Sequence, residues 1–310
     1  MLLLPSGAAA QTFRQLVEHP ISPRFTVRDS AGHTMDTLKV IDSEQPAPND
    51  RYVGVYHYSV GTSFVTAVAT SNDLVSWRFR ANLAAGASQP AIDSFATAAK
   101  TKYWVAWEAD CARGTCLAVS YYPTFSALVA GQASLSHVIP RTLPGNCNEG
   151  TPSFFSPPTR TTLDIAFHYN STCHTGTDRE ARGTLTGLGT TWNWSAAPTP
   201  LVDLMLNVAG GSGNHGDRDR IVFKGQAFRI YEAQLVPALF SSFRPFLYDG
   251  WTLTRLNVRT ACGATAFANT SMSNVTLPSG APGVFVAHFI FHSGAGTCGS
   301  GEMTYFAPVG

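Results

Sequence analysis

At its centre the chain reads Cys147-Asn-Glu149-Gly-Thr-Pro-Ser-Phe-Phe155, and after a short turn it continues with Thr162-Leu-Asp-Ile-Ala-Phe-His168-Tyr169. An acidic residue, Glu149, therefore precedes a short apolar segment, and a second segment rich in aromatic and β-branched residues follows. Both segments are typical of β-strands. Four other stretches follow the same plan, and they begin near Asp36, Asp93, Asp217 and Ala264. Five copies of one strand-turn-strand unit indicate a repeat architecture.

The spacing of the acidic residues favours a propeller. Asp36 and Asp93 are 57 residues apart, and Asp93 and Glu149 are 56 residues apart. This is near the period of about 50 residues that is typical of some propeller blades. Since the innermost strand of each blade lines the central channel, equivalent positions in these strands should converge. The sequence predicts an all-β fold, a five-bladed β-propeller, in which these three carboxylates share one funnel.

Composition supports a single large β domain. The 310 residues are 44% hydrophobic and 13% charged, and 27 glycines and 19 prolines interrupt many short apolar segments. A net charge of +1 provides no basic surface for nucleic acid or for an anionic membrane. We therefore expect a monomer whose partner is a neutral small molecule or polymer rather than a nucleic acid or a membrane.

The N-terminus reads as an export signal followed by the propeller. Residues 1–10 have a short apolar run and end in Ala8-Ala-Ala10, which resembles the end of a short or truncated signal segment. Residues 11–310 would then form one propeller domain. The fifth repeat lacks a fourth strand, so we expect an N-terminal strand, Phe13–Val17 or Arg24–Arg28, to close the ring.

The cysteines also indicate export. Six cysteines allow 15 pairings, and the repeat register selects three local bridges: Cys111–Cys116, Cys147–Cys173 and Cys262–Cys298. Disulfides are typical of secreted proteins. Glycosylation motifs begin at Asn170, Asn193, Asn269 and Asn274. We expect a secreted, extracellular protein.

Three segments resemble a known group of enzymes. Ser71-Asn-Asp-Leu-Val-Ser-Trp77, Ile92-Asp93 with Lys102–Trp107, and Glu149-Gly-Thr-Pro-Ser-Phe154 are similar to segments of five-bladed propeller glycoside hydrolases. These are the arabinanase, xylosidase and invertase enzymes of families forty-three, sixty-two and thirty-two. The resemblance implies that Asp36 is the catalytic base or nucleophile, that Asp93 tunes the acid, and that Glu149 is the general acid.

The blade positions leave a second assignment open. In the enzyme group the three carboxylates come from the first, third and fourth blades, whereas Asp36, Asp93 and Glu149 come from consecutive repeats. If this chain also uses the first, third and fourth blades, Glu149 and either Asp217 or Asp219 take the two later roles. Asp93 is then a supporting residue. In either register, glycoside cleavage needs one protonated and one ionised carboxyl group, and it requires no cofactor.

Other polar or aromatic residues are candidates for substrate binding. Most histidines in such strands are hydrogen-bonded sheet residues, and Trp107 has an alternative place between blades. A histidine near the carboxylates could instead reach the sugar or hold a structural cation on the propeller axis. The predicted substrate-binding residues are His57, Trp107, His168, His215, Asp217, Arg218, Asp219, Glu232 and His288.

Three functions fit these patterns. The first is a secreted glycoside hydrolase that acts on a plant or microbial polysaccharide, with an arabinofuranosyl linkage and an inverting mechanism suggested by the resemblance. The second is a polysaccharide lyase in which a histidine removes a proton beside a uronate that Arg218 neutralises. The third is a sugar-binding propeller without catalysis. The polar residues differ from repeat to repeat, which favours one asymmetric central site over repeated lectin sites.

Overall fold

Nineteen strands in five antiparallel sheets make up the part of the chain that this computed structural model describes, residues 6–45, 50–97, 101–143, 147–170, 172 and 177–309. The sheets are arranged as a five-bladed β-propeller, as predicted. In each blade the strands follow one another in chain order.

The first three blades contain four strands each. Blade 1 contains β1 (Asp36–Asp42), β2 (Tyr52–Val60), β3 (Ser63–Ser71) and β4 (Arg78–Ala85). Blade 2 contains β5 (Ala87–Ala96), β6 (Thr101–Asp110), β7 (Thr115–Tyr122) and β8 (Leu135–Ile139). Blade 3 contains β9 (Glu149–Phe154), β10 (Thr162–Asn170), β11 (Asp178–Thr186) and β12 (Asn193–Pro198).

The last two blades differ in strand number. Blade 4 contains β13 (His215–Phe223), β14 (Gln226–Gln234), β15 (Phe243–Tyr248) and β16 (Leu253–Arg255). Blade 5 has three strands, β17 (Phe267–Thr276), β18 (Pro282–Ile290) and β19 (Gly301–Pro308). The helices are α1 (Ser6–Glu18), α2 (Phe125–Val129) and α3 (Pro200–Val208), and two 3-10 turns span Phe240–Ser242 and His292–Gly294. No helix in the described ranges is long and apolar enough to cross a membrane.

Apolar side chains between neighbouring blades form the core. The second strand of each blade is covered by other blades on both faces, so β2 reads as a nearly continuous apolar run instead of an alternating one. The two tryptophans of β6 show the arrangement. Trp104 packs towards blade 3 beside Phe154, whereas Trp107 packs towards blade 1 beside Val53. The prediction that Trp107 contacts substrate is therefore wrong, because Trp107 is buried between two blades.

The N-terminal segment closes the ring. Arg24 pairs with Thr304 of β19 through backbone hydrogen bonds of 2.8 and 2.9 Å, and the Val27 amide donates to the Glu302 carbonyl. The Arg24–Arg28 segment thus covers the edge of β19 as predicted, although it does so through an isolated bridge and not as a regular strand.

The other proposed closing strand, Phe13–Val17, is part of helix α1. Phe13 and Val17 lie one helical turn apart, so both reach the core, and the Phe13 ring is 4.9 Å from the Phe223 ring. Residues 6–10 of the predicted signal segment belong to the same helix, and residues 1–5 lie outside the described residues.

Two of the predicted disulfides are confirmed. Cys111–Cys116 closes the loop between β6 and β7 of blade 2, and Cys262–Cys298 joins two loops of blade 5. Both bridges are local, as the repeat register predicted. The third predicted bridge, Cys147–Cys173, includes Cys173, which lies outside the described residues.

Candidate active site

The two ends of the propeller channel form separate cavities. Residues near the starts of the inner strands β1, β5, β9, β13 and β17 line a cavity of about 430 Å³, which we call the funnel. Residues near the ends of the same strands line a cavity of about 320 Å³, which we call the far cavity. The polar lining of the funnel consists of Asp36, His57, Ser59, Gln89, Thr151, His168, Asp178, Asn214, Glu232 and Asn269.

Asp36 lies at the first position of β1, where its carboxyl group is largely buried. Its Oδ2 accepts a hydrogen bond of 3.2 Å from the Thr34 hydroxyl, and its buried Oδ1 has no hydrogen-bond partner among the described residues. Burial raises the pKa of Asp36 to about 6, although Thr34 and the nearby charge of Arg28 oppose the rise. This group can gain or lose a proton near neutral pH, as acid-base catalysis requires.

Asp36 also borders a second space. A side cavity of about 470 Å³ lies beside the funnel, and Arg28, His33 and Tyr58 are among the residues that line it. Asp36, Ser59 and Phe289 belong to the walls of both cavities. A carboxyl group at such a junction can reach a bond whose two halves occupy different cavities.

Asp93 is not brought together with Asp36. Its carboxylate lies in the far cavity, 2.5 Å from the Arg220 guanidinium. The register of the inner strands explains this difference. Asp36 of β1 is opposite His57 of β2. In blade 2 the residue that corresponds to His57 is Glu108 of β6, and the residue opposite Glu108 is Ser88 and not Asp93. Asp93 follows Ser88 by five residues, which is ~16 Å along a strand. The equal spacing in sequence therefore does not correspond to equal positions in the blades, and the predicted convergence of the three carboxylates is wrong.

Glu149 occupies the first position of β9, opposite Tyr169, and its side chain is fully buried. It does not line the funnel, although Thr151 two residues later does. Its role as the general acid remains a prediction.

Asp178 is a funnel carboxylate that the repeat pattern did not reveal. It begins β11, where the Asn170 side chain donates a hydrogen bond of 3.2 Å to its Oδ1. Burial raises the pKa of Asp178, and the Asn170 hydrogen bond and the Arg179 charge oppose the rise. Its position on a third strand explains why a search for acidic residues at inner-strand starts did not find it.

The starts of four inner strands share one backbone feature. Each contains a bulge with a residue in the left-handed region: Thr37 (φ 57°), Gln89 (φ 51°), Thr151 (φ 53°) and Asn269 (φ 52°). In each case a side chain of the preceding blade lies within hydrogen-bond distance of the bulge amide: Glu302 at Thr37 (3.0 Å), His57 at Gln89 (3.2 Å), Glu108 at Thr151 (3.1 Å) and Glu232 at Asn269 (2.5 Å). His57 and Glu232, which were predicted to bind substrate, line the funnel, and these contacts also give them a structural role.

Arg218 lies on the propeller axis beneath the funnel. Its side chain is buried in the middle of β13, and its Nε is 3.7 Å from Glu232 Oε1. Burial lowers the pKa values of His57 and His168 and raises those of Glu108, Glu232 and Glu302, and in all five blades the positive charge of Arg218 acts on these groups in the downward direction. Arg218 therefore supplies a positive charge where the axial cation was predicted. The described residues contain no group of three or more His, Cys, Asp or Glu side chains placed to hold a metal ion.

The remaining predicted binding residues divide into two groups. His168 lines the funnel, and burial together with the charge of Arg218 lowers its pKa to about 3, so the ring is neutral. The others are not part of the funnel lining. They are His215 beside Asp203, Asp217 paired with Arg229, Asp219 paired with Lys39 in the far cavity, and His288 bound to Thr270. These contacts explain their polarity without a ligand, so the prediction that they bind substrate is not supported.

Comparisons with known proteins agree with this architecture. No protein-family model and no curated protein matches the chain. Among solved structures, the chain is similar to a thermostable family-43 glycoside hydrolase, with a TM-score of 0.58, 13% identity and 92% of each chain covered. It is also similar to an α-L-arabinofuranosidase from Podospora anserina in complex with cellotriose, with a TM-score of 0.55, 9% identity and coverage of 94% of this chain and 97% of that one.

A third similar structure is an N-acetylgalactosamine deacetylase from F. plautii in complex with blood group B trisaccharide. Its TM-score is 0.55 at 10% identity, and 93% of this chain and 94% of that chain are covered. The predicted resemblance to five-bladed propeller glycoside hydrolases is confirmed at the level of the fold. Because a deacetylase shares the fold, the fold alone does not define the reaction.

Proposed function

We propose that this protein is a glycoside hydrolase and that Asp36 is one of its catalytic carboxyl groups. The observation that carries the proposal is the position of Asp36 at the junction of the funnel and the side cavity, with its pKa raised to about 6. A glycosidic bond joins two groups that need separate binding spaces, and a carboxyl group must lie beside that bond. The similarity in fold to glycoside hydrolases supports this proposal.

The second carboxyl group that we assign is Asp178. Both Asp36 and Asp178 line the funnel, and burial raises both pKa values. In this proposal Asp36 acts in its ionised form and activates a water molecule, and Asp178 donates a proton to the leaving oxygen. An inverting reaction with this water between the two carboxyl groups is the stereochemical course that we propose.

The polar side chains around Asp36, which we call the polar floor of the funnel, indicate the substrate class. Amide and hydroxyl groups of Gln89, Thr151, Asn214 and Asn269 surround the space beside Asp36 and can bind the hydroxyl groups of a neutral sugar. A pentose in an arabinofuranosyl linkage is the first sugar to test, because one similar structure is an α-L-arabinofuranosidase. Two local disulfides agree with action outside the cell, so secretion is part of the proposal.

The lyase alternative receives less support. Its mechanism needs Arg218 beside a uronate carboxylate, but Arg218 lies below the funnel and does not line it. A product that absorbs ultraviolet light through a new double bond would favour the lyase over the hydrolase.

The test combines a panel of polysaccharides and of alkyl and aryl glycosides with matched variants. Released sugars are separated by chromatography for the wild type and for Asp36→Asn, Asp178→Asn, Glu149→Gln and Asp93→Asn. We expect Asp36→Asn and Asp178→Asn to lower kcat by about 10²–10⁴. Asp93→Asn is the control because Asp93 lies in the far cavity, and its activity should stay within about twofold of the wild type.

Each contrary outcome has a specific meaning. Normal activity in Asp36→Asn refutes the assignment of the base. Loss of activity in Glu149→Gln but not in Asp178→Asn makes Glu149 the acid, as the sequence resemblance implied. Sugar binding without product on any substrate of the panel means that the propeller is a binding protein and not a hydrolase.

A further inference from the structure

The mouth of the funnel is apolar on two sides. Phe64 lies on one side, where its ring packs edge-on against His57 at 4.8 Å. Four phenylalanines from blades 4 and 5 form the other side: Phe240, Phe243, Phe289 and Phe291. Their rings contact one another, with 5.4 Å between the Phe240 and Phe291 centroids and 5.2 Å between those of Phe289 and Phe291. Apart from histidine, every aromatic side chain in the described lining is a phenylalanine, which has no group to bond a sugar hydroxyl.

A single loop extends this surface outwards. Between β14 and β15, the residues Val236, Leu239 and Phe240 are 51%, 47% and 56% exposed. Phe240 lines the funnel, so the three apolar side chains continue the funnel wall onto the outer surface. We call the funnel phenylalanines together with Val236 and Leu239 the apolar rim.

The backbone of this loop is fixed in the conformation that exposes these side chains. The buried hydroxyl of Ser242 accepts a bond from the Val236 amide at 3.0 Å and lies 2.6 Å from the Leu239 carbonyl. Ala238 at the tip has a φ of 61°, a conformation that costs an alanine free energy. Since water does not favour exposed apolar groups, a strained loop that presents them beside a polar cleft is typical of a functional surface.

We propose that the substrate is a glycoside with an apolar aglycone, alkyl or aryl, and that this aglycone lies against the apolar rim while the sugar occupies the polar floor. The inference rests on the proposed function for the reaction, but it concerns a different part of the substrate. The polar floor around Gln89, Asn214 and Asn269 suits hydroxyl groups. The rim suits a group without them, and its continuity with the funnel places that group on the same molecule.

The test measures binding and needs no hydrolysis. Saturation-transfer NMR and competition titrations compare methyl, phenyl and octyl α-L-arabinofuranoside, the last below its micelle concentration. Each fully buried methylene strengthens binding about fourfold, so partial burial of the octyl chain should give at least about 30-fold tighter binding than the methyl glycoside. We expect saturation to reach the octyl protons most strongly. The phenyl arm distinguishes an aryl from an alkyl preference.

Two variants locate the binding surface. Phe240→Ser should weaken octyl glycoside binding about tenfold and leave methyl glycoside binding unchanged. Trp251→Ser is the control, because Trp251 is 83% exposed in the turn between β15 and β16 and is not part of the described funnel lining. It should change neither affinity. Both residues are exposed, so we expect both variants to fold, and a circular dichroism melt verifies this.

Several results would overturn the inference. They are equal binding of the methyl, phenyl and octyl glycosides, no detectable transfer to the octyl chain, or a full octyl preference in Phe240→Ser. A preference lost equally in Trp251→Ser would also overturn it. If no glycoside is hydrolysed but the octyl group binds through Phe240, the proposed function fails and the apolar rim stands as a ligand site.

Discussion

Replacement of Asp36 by asparagine should remove activity and stabilise the fold at the same time. The folded protein holds the pKa of Asp36 at about 6 through burial, compared with an ordinary value of 3.8. Between these two values the folded state binds a proton that the unfolded state has lost, so the free energy of unfolding falls as pH rises. Below 3.8 both states are protonated and the carboxyl group has no effect, whereas above about 6 the full penalty is present.

The size of the penalty follows from the two pKa values. The difference between them corresponds to about 3 kcal/mol if the group were fully shielded from water. Asp36 is partly exposed, so we expect about 1–3 kcal/mol. An asparagine has no charge to bury. The free energy of unfolding of Asp36→Asn, relative to that of the wild type, should therefore be higher at pH 8 than at pH 3.5 by this amount. Such a gain would fit the usual trade-off between activity and stability at a residue that we propose to be catalytic.

Urea unfolding of both proteins at several values between pH 3.5 and 8, followed by tryptophan fluorescence, measures this difference. The variant Asp249→Asn is the control, and its effect on the free energy of unfolding should have the opposite sign. Partial burial favours the neutral form of Asp249, but hydrogen bonds from the Thr252 and Trp251 amides outweigh it and lower its pKa. Its replacement should therefore lose stability at neutral pH, and the loss should shrink in acid. If the difference between Asp36→Asn and the wild type is independent of pH, or has the opposite sign at pH 8, the account of Asp36 is wrong.

Two further variants test the interior of the propeller. Arg218→Met removes the positive charge beside Glu232 and leaves a buried carboxylate without a counter-charge, so it should cost about 3–5 kcal/mol at pH 7. Burial raises the pKa of Glu232, so protonation should relieve part of this loss in acid, and equal losses at neutral and acid pH in urea unfolding would contradict this. Gly216→Ala should destabilise the fold severely, because an added Cβ would lie 1.5 Å from His168 Nε2, and His168→Ala in the same chain should recover most of the loss in thermal melts. A double variant no more stable than Gly216→Ala alone would show that the contact with His168 is not the cause.

Blade number was predictable because it depends on patterns that the sequence displays directly. Apolar runs such as Tyr52–Tyr58 and Tyr103–Trp107 are long, regular and separated by turn residues, and each became the second strand of a blade. Local disulfides such as Cys111–Cys116 were predictable from the same register. These features are local, so no knowledge of how the blades meet was needed.

The site was less predictable because it depends on register across blades. Asp93 is separated from Asp36 by nearly one repeat in sequence, but the residue at the matching height is Ser88. Asp178 reaches the funnel from a third strand, and the phenylalanines of the apolar rim come from separate loops and strands. The prediction of a strand at Phe13–Val17 was wrong, because its apolar positions 13, 16 and 17 follow the i, i+3, i+4 spacing of a helix, and five residues are too few to show that period clearly.

The bulges at the starts of the inner strands connect the fold to the proposed chemistry. A left-handed residue other than glycine costs on the order of 1 kcal/mol, and Thr37, Gln89, Thr151 and Asn269 all adopt this conformation. The bulges persist because a side chain of the preceding blade lies at each amide, Glu108 for Thr151 and Glu232 for Asn269 being two examples. Each bulge shifts the register at the strand start, and the residues at these starts line the funnel. The contacts that join the blades therefore also hold the funnel residues in place, which explains why so many buried polar groups surround the axis without being catalytic.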